Sequence, residues 1–245
     1  MTVTATSSPP ADRARGGYVH ESELPLTSLL FLLPLIATYE VGARYFTTAA
    51  QHGYEQQIIA FTMMQRFFRL FGVHGQHLPA LAVCAILLSW HVARREKWHV
   101  NVATLVGMAV ESLLLALPLI AISRELTRYL PLLATTSTRQ DTIIMSLGAG
   151  VYEELVFRLI LFSLLSLFLK DVLRAKSGWV NLGIVLVSAL AFSGYHYLSP
   201  AEHFNFRAFA FRTVAGAYFG AVFLLRGFGI TAASHAAYDI LILFV

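Results

Sequence analysis

Apolar runs close to twenty residues long recur along the whole of this 245-residue chain. A helix crosses a hydrocarbon core about 30 Å thick with roughly twenty residues, so runs of this length read as membrane spans. Composition agrees: 57% of residues are hydrophobic and 13% charged, about half the charged fraction of a soluble domain. Seven spans are expected, from Ser28 to Phe46, Pro79 to Val92, Val102 to Ile122, Thr142 to Leu169, Val180 to Leu198, Ala208 to Leu225 and Phe228 to Val245. An eighth candidate, Tyr54 to Phe71, mixes Ile58, Ile59, Phe61, Met63 and Met64 with Gln56, Gln57, Gln65, Arg66 and Arg69. That mixture suits an amphipathic helix lying in the interface. The expected fold is therefore all-α, a polytopic integral membrane protein of seven to eight helices around a polar cavity.

Residues 1–25 are rich in Ser, Pro, Ala and Gly and read as a flexible tail. Residues 26–245 read as one transmembrane domain, with no repeat or linker dividing it, and its motif-bearing core is 142–245. The stretch from Arg124 to Asp141 is the longest polar connection and is expected to be a mobile loop. The net charge of +4 is spread in ones and twes over the loops, which supplies no basic face for nucleic acid. All three lysines fall in two short connections, Arg94-Arg95-Glu96-Lys97 and Lys170 to Lys176. With these loops inside, seven spans place the N-terminus inside and the C-terminus outside. The single cysteine, Cys84, sits among Leu, Ala, Val and Ile and reads as a small packing residue.

Against this background the segment Gly148-Ala149-Gly150-Val151-Tyr152-Glu153-Glu154-Leu155-Val156-Phe157-Arg158 stands out. An ionisable group at membrane depth costs about 2.5–3.5 kcal/mol even on lenient scales, and here three fall within six residues. On a helix Glu154 and Arg158, four apart with the acid first, share a face and can pair. Glu153 is turned about 100° away and is left free for proton transfer. Two further helices carry polar groups: Phe192-Ser193-Gly194-Tyr195-His196 ends one, and His235-Ala236-Ala237-Tyr238-Asp239 puts a histidine and an aspartate at i and i+4 on the last. Polar groups at this depth must face one another across a cavity, having no water on the lipid side. Glu40, with Arg44 four residues on, and Glu111 are expected to be structural, and Arg212 to pair or snorkel. Gly148, Gly150, Ala189, Ser193, Gly216 and Gly220 mark expected close helix contacts.

Two chemistries fit these groups. Histidines and carboxylates hold zinc, but two histidines at i and i+4 around a glutamate are absent. The other is a metal-free hydrolysis in which Glu153 and His196 activate water and donors on the last helix stabilise an oxyanion. A purely structural polar knot is a third reading, and a proton-coupled transporter a fourth, though no paired interrupted helices of two repeats support it.

Glu153-Glu154-x-x-x-Arg158, Phe192-x-x-x-His196 and His235-x-x-x-Asp239, in that order on successive spans, resemble the three motifs of the CPBP family of intramembrane glutamic proteases. That family includes the type II CAAX prenyl endopeptidases and bacteriocin-processing and immunity proteins. The resemblance covers about Thr142 to Val245. It implies that Glu153 and His196 activate the water, that His235 and Asp239 form the oxyanion site, and that Glu154 and Arg158 orient it. It implies no cofactor and no metal, a membrane-associated protein or peptide as substrate, cleaved in a C-terminal or leader segment, and residence in a bacterial cytoplasmic membrane. The alternative within the same resemblance is a non-catalytic immunity or scaffold protein. One position departs: Asp239 stands where the prenyl endopeptidases carry asparagine. An ionised aspartate repels an oxyanion, so Asp239 must be protonated or act by orienting His235.

Overall fold

A computed structural model describes residues 17–47, 58–127, 138–175, 179–198 and 202–245. Among these residues the chain is helical, without strands. The expected tail from 1 to 16 and the centre of the expected loop, 128–137, lie outside the described residues. Helix α1 (Tyr18–Ser22) comes first, and its Tyr18 and Ser22 reach the bundle through the hydrogen bonds described below. Helix α2 (Pro25–Tyr45) begins with Pro25 in its first turn, where a missing N–H costs nothing. The short helix α3 (Ile59–Leu70) follows and buries Ala60, Phe61 and Met64. Next come α4 (Leu78–Arg94) and α5 (Val102–Thr127). The stretch expected to be a loop up to Asp141 is helical at both ends, since Thr138 caps the next helix by accepting the Asp141 N–H at 3.1 Å.

That helix, α6 (Arg139–Glu154), does not continue as an ordinary α-helix. Its winding loosens to a π-helix over Leu155–Phe162, returns to α over Ser163–Ser166 and loosens again over Leu167–Val172. The Ser188 hydroxyl of a neighbouring helix donates to the Phe157 carbonyl at 2.8 Å. Side-chain donors of this kind satisfy carbonyls where helical winding is irregular. Helix α7 (Trp179–Tyr195) ends in a tighter turn, His196–Leu198. Helical residues then run from Phe206 to Leu241, interrupted at Gly227, where φ is 74° and ψ −175°. Only glycine enters that conformation without strain. The halves, α8 (206–226) and α9 (228–241), fold back on each other: the rings of Phe219 and His235 stack 4.6 Å apart, whereas a straight helix would separate them by about 24 Å.

Four helical stretches are long and apolar enough to cross a membrane, Pro25–Tyr45, Val102–Glu125, Trp179–Leu198 and Phe206–Phe244, and Leu78–Arg94 is a shorter apolar helix. The last long stretch, broken at Gly227, accounts for two of the seven expected spans, and 142–169 lies in the mixed winding after Arg139. Outward faces are apolar, as lipid contact requires: on α5, Val102, Val106, Val110, Leu113, Leu114 and Leu117 are exposed. The core joins Leu32, Ile36 and Tyr39 to Val151, Tyr152, Leu155 and Ala232.

Small residues let these helices touch. A Cβ on Gly150 would come within 2.5 Å of the Ala232 carbonyl, and one on Gly148 within 2.3 Å of the Tyr39 ring. Gly216 meets Ala189 and Phe192 in the same way. The hairpin turn is held by Arg226, which grips Glu111 with two N–H groups at 2.5 and 2.9 Å and donates to Ser22 Oγ at 2.9 Å. The Tyr18 hydroxyl donates to Glu111 at 2.5 Å. Burial and the neighbouring Glu111 carboxylate push the Tyr18 hydroxyl up to about 12, so it remains a donor at any physiological pH.

Candidate active site

The close approach at Gly150 sets Glu153 and Glu154, one turn further along α6, against His235 on α9. Glu154 and Arg158 are fully buried, and Arg158 Nε lies 2.9 Å from Glu154 Oε2. The contact is off-axis for a hydrogen bond, since neither atom has a hydrogen-bond partner among the described residues. We read it as a charge contact. Arg158 also donates to the Gly216 carbonyl of α8 at 3.0 Å, and its guanidinium sits 4.5 Å over the Phe192 ring. A buried arginine is tolerable only with such compensation. The change to π winding at Leu155 means that the 3.6-residue period cannot be carried through to Arg158.

The other oxygen of Glu154 accepts from His235 Nδ1 at 2.7 Å. With Nδ1 so engaged, His235 Nε2 points to Glu153 Oε2 at 3.9 Å and Asp239 Oδ2 at 3.6 Å. Phe219 stacks on the imidazole at an interplanar angle of 20°, and Phe192 meets its edge, so the ring has little freedom to turn. A relay results, from the Gly216 carbonyl through Arg158, Glu154 and His235 to the facing carboxyl groups of Glu153 and Asp239.

His196 joins this cluster by ring contacts. Its Nδ1 donates to the Phe192 carbonyl one turn back at 2.9 Å, which leaves Nε2 as the acceptor of the neutral imidazole. Its ring meets Tyr195 edge-on at 4.4 Å and Phe192 at 5.2 Å. Tyr195 was not singled out from the sequence, yet its ring packs against both His196, at 4.4 Å, and Phe157, at 4.8 Å. The only sequence signal for it is its place beside His196, which an aromatic packing residue would equally occupy.

The structure thus brings Glu153, Glu154, Arg158, His235 and Asp239 into mutual contact and sets His196 at their edge. Glu40 is a correction in detail: Tyr152 donates to it at 2.9 Å and His77 at 2.6 Å, so donors from two other segments engage it in place of the expected Arg44. Glu111 has the structural part expected of it. Arg212 pairs with Glu202, and Cys84 is partly buried beside the core. Among the described residues no three His, Cys, Asp or Glu side chains are arranged to hold a metal ion. An apolar cavity of about 620 Å3 lies between α3, α4 and the π-helical segment, lined by residues such as Met63, Phe67, Leu81 and Val156. It offers no group for proton transfer, so the polar cluster is the chemically capable part of the molecule.

Residues 136–241 match the family model described as type II CAAX prenyl endopeptidase Rce1-like. That span contains every member of the cluster. No curated protein and no solved structure matches the chain significantly.

Proposed function

From the match of residues 136–241 to the Rce1-like type II CAAX prenyl endopeptidase model, we propose that this chain is a CAAX-type (CPBP) intramembrane protease that hydrolyses a peptide bond of a membrane-associated protein by a glutamate-activated water, without a metal. The observation that carries the reading is the placement of Glu153 Oε2 and Asp239 Oδ2 about His235 Nε2, at 3.9 and 3.6 Å. At these separations His235 Nε2 is shared between two carboxyl groups without a hydrogen bond to either among the described residues, so this nitrogen remains available to a reacting group.

In this reading Glu153 takes a proton from water as the water oxygen attacks the peptide carbonyl. His196, with Nδ1 committed to the Phe192 carbonyl, offers Nε2 to the same water. The developing oxyanion is met by the Nε2–H of a doubly protonated His235, whose Nδ1–H serves Glu154, and by Asp239 in its protonated form, or by His235 alone with Asp239 aligning it. Glu154 fixes the imidazole through Nδ1, the way a carboxylate orients histidine in other hydrolytic sites, and Arg158 holds that carboxylate in place. Preorganised donors in a dry site contribute more than they would in water. Collapse then passes the proton held by Glu153 to the leaving amine.

The test is a comparison of peptide termini, by mass spectrometry, in membranes of cells carrying the wild type, Glu153→Gln or no protein. A terminus present only with the wild type is expected, and chelators should leave the purified activity unchanged. Identical termini with wild type and Glu153→Gln would instead support a non-catalytic immunity or scaffold role.

A further inference from the structure

The face of α8 that supports the cluster continues beyond it. Arg212, Gly216 and Phe219 are spaced by four and three residues, which gathers them within an arc of about 60°. Gly216 holds Arg158, Phe219 stacks on His235, and Arg212 lies one turn nearer the start of the helix. There its guanidinium pairs with Glu202 and sits 5.6 Å over the Tyr197 ring. Arg212 Nη1 is buried and has no hydrogen-bond partner among the described residues, an expensive state for a guanidinium N–H.

Exposure is uneven across these polar groups. The Glu154 and Arg158 side chains are at 0%, His235 at 6% and Asp239 at 29%, Arg212 at 24% and Glu202 at 38%. The fully buried floor at Glu154 and Arg158 thus gives way to part-exposed polar groups at Asp239, Arg212 and Glu202.

We propose that Arg212 is a binding subsite for a carboxylate of the substrate, with Glu202 occupying it until the substrate's own carboxylate takes over. The proposal rests on the protease reading above and adds to it a residue that selects the substrate. Seven residues of α8 between Arg212 and Phe219 span about 10 Å, which an extended peptide covers in about three residues. The carboxylate thus belongs about three residues from the scissile bond. It is either the α-carboxylate of a chain end or an acidic side chain at that position.

The probe is a farnesylated, internally quenched peptide with three residues after the prenyl-cysteine. It is made as the free acid, as the C-terminal amide, and as the amide with glutamate last. Wild-type protein in nanodiscs should cleave a carboxylate-bearing form with kcat/KM about 10–100-fold above the neutral amide, the range of a charge-assisted hydrogen bond. Preference for the free acid assigns the chain end, and preference for the glutamate form assigns the side chain. Arg212→Gln should bring the ratio to about 1, Arg212→Lys should keep part of it, and Glu202→Gln should keep it while lowering KM. Equal cleavage of all forms by the wild type, or a ratio unchanged in Arg212→Gln, overturns the proposal.

Binding of the same three peptides to Glu153→Gln protein, followed by fluorescence, separates the two readings. Carboxylate-selective binding that Arg212→Gln abolishes upholds the subsite even where the wild type cleaves nothing, an outcome that counts against the protease reading alone. Binding without selectivity overturns the subsite.

Discussion

Two polar knots hold this molecule together, and they are built differently. At the α8–α9 turn, Arg226 meets Glu111 through paired short N–H contacts, Ser22 takes a further one and Tyr18 completes the carboxylate. In the buried cluster the pairing is incomplete: Arg158 Nη1 has no partner among the described residues, and His235 Nε2 faces two carboxyl groups at more than hydrogen-bond length. In the knot nearer the surface both oxygens of Glu111 are hydrogen-bonded, although Arg226 Nη1 too has no hydrogen-bond partner among the described residues and meets Glu23 only at 3.6 Å. In a low-dielectric interior an unsatisfied polar group is costlier than at the surface, so a cluster left open where that cost is greatest is better explained by chemistry than by stability.

Substitutions can break or sharpen this contrast. Glu153→Gln, nearly isosteric, is expected to lower cleavage by about 10²–10⁴-fold, the range for loss of a general base, while thermal unfolding in detergent stays near that of the wild type. Arg158→Met should act on stability instead, by about 3–5 kcal/mol, because it leaves Glu154 buried and uncompensated; a denaturation midpoint equal to the wild type would undo the account of the relay. Arg226→Met removes several charge-assisted hydrogen bonds at the turn, each worth about 1.5–3 kcal/mol, discounted for partial exposure. Its unfolding midpoint should fall, with the per-molecule cleavage rate of the folded fraction retained. Tyr195→Phe keeps the ring packed on His196 and removes only the hydroxyl, so it is the mildest, with about tenfold or less lost in kcat, the size of one hydrogen bond; a kcat equal to the wild type would show that the ring alone is needed.

The contrast was only half legible in the sequence. Glu154 and Arg158 four residues apart announced their pairing, and Gly150 announced a close helix contact. Nothing local told that Glu154 would also hold His235, since that bond joins residues 81 positions apart. Glu40 shows the same limit in reverse: Arg44 was its local partner on paper, but Tyr152 and His77 reach it in space. The π winding at Leu155–Phe162 was invisible for a related reason. Intrinsic preferences separate α from π winding weakly, and the choice is made by neighbours such as Ser188.

By itself the sequence determined that this is an all-helical membrane protein and which ionisable residues have no place in lipid, because apolar run length and the cost of burying charge are properties of the chain alone. Tertiary structure decided how those residues are shared out: Arg158 and His235 to Glu154, His235 Nε2 to Glu153 and Asp239, Arg226 to Glu111, and Arg212 to Glu202. Partner choice depends on which helix faces meet, and that is set by the Gly227 reversal and the small-residue crossings together.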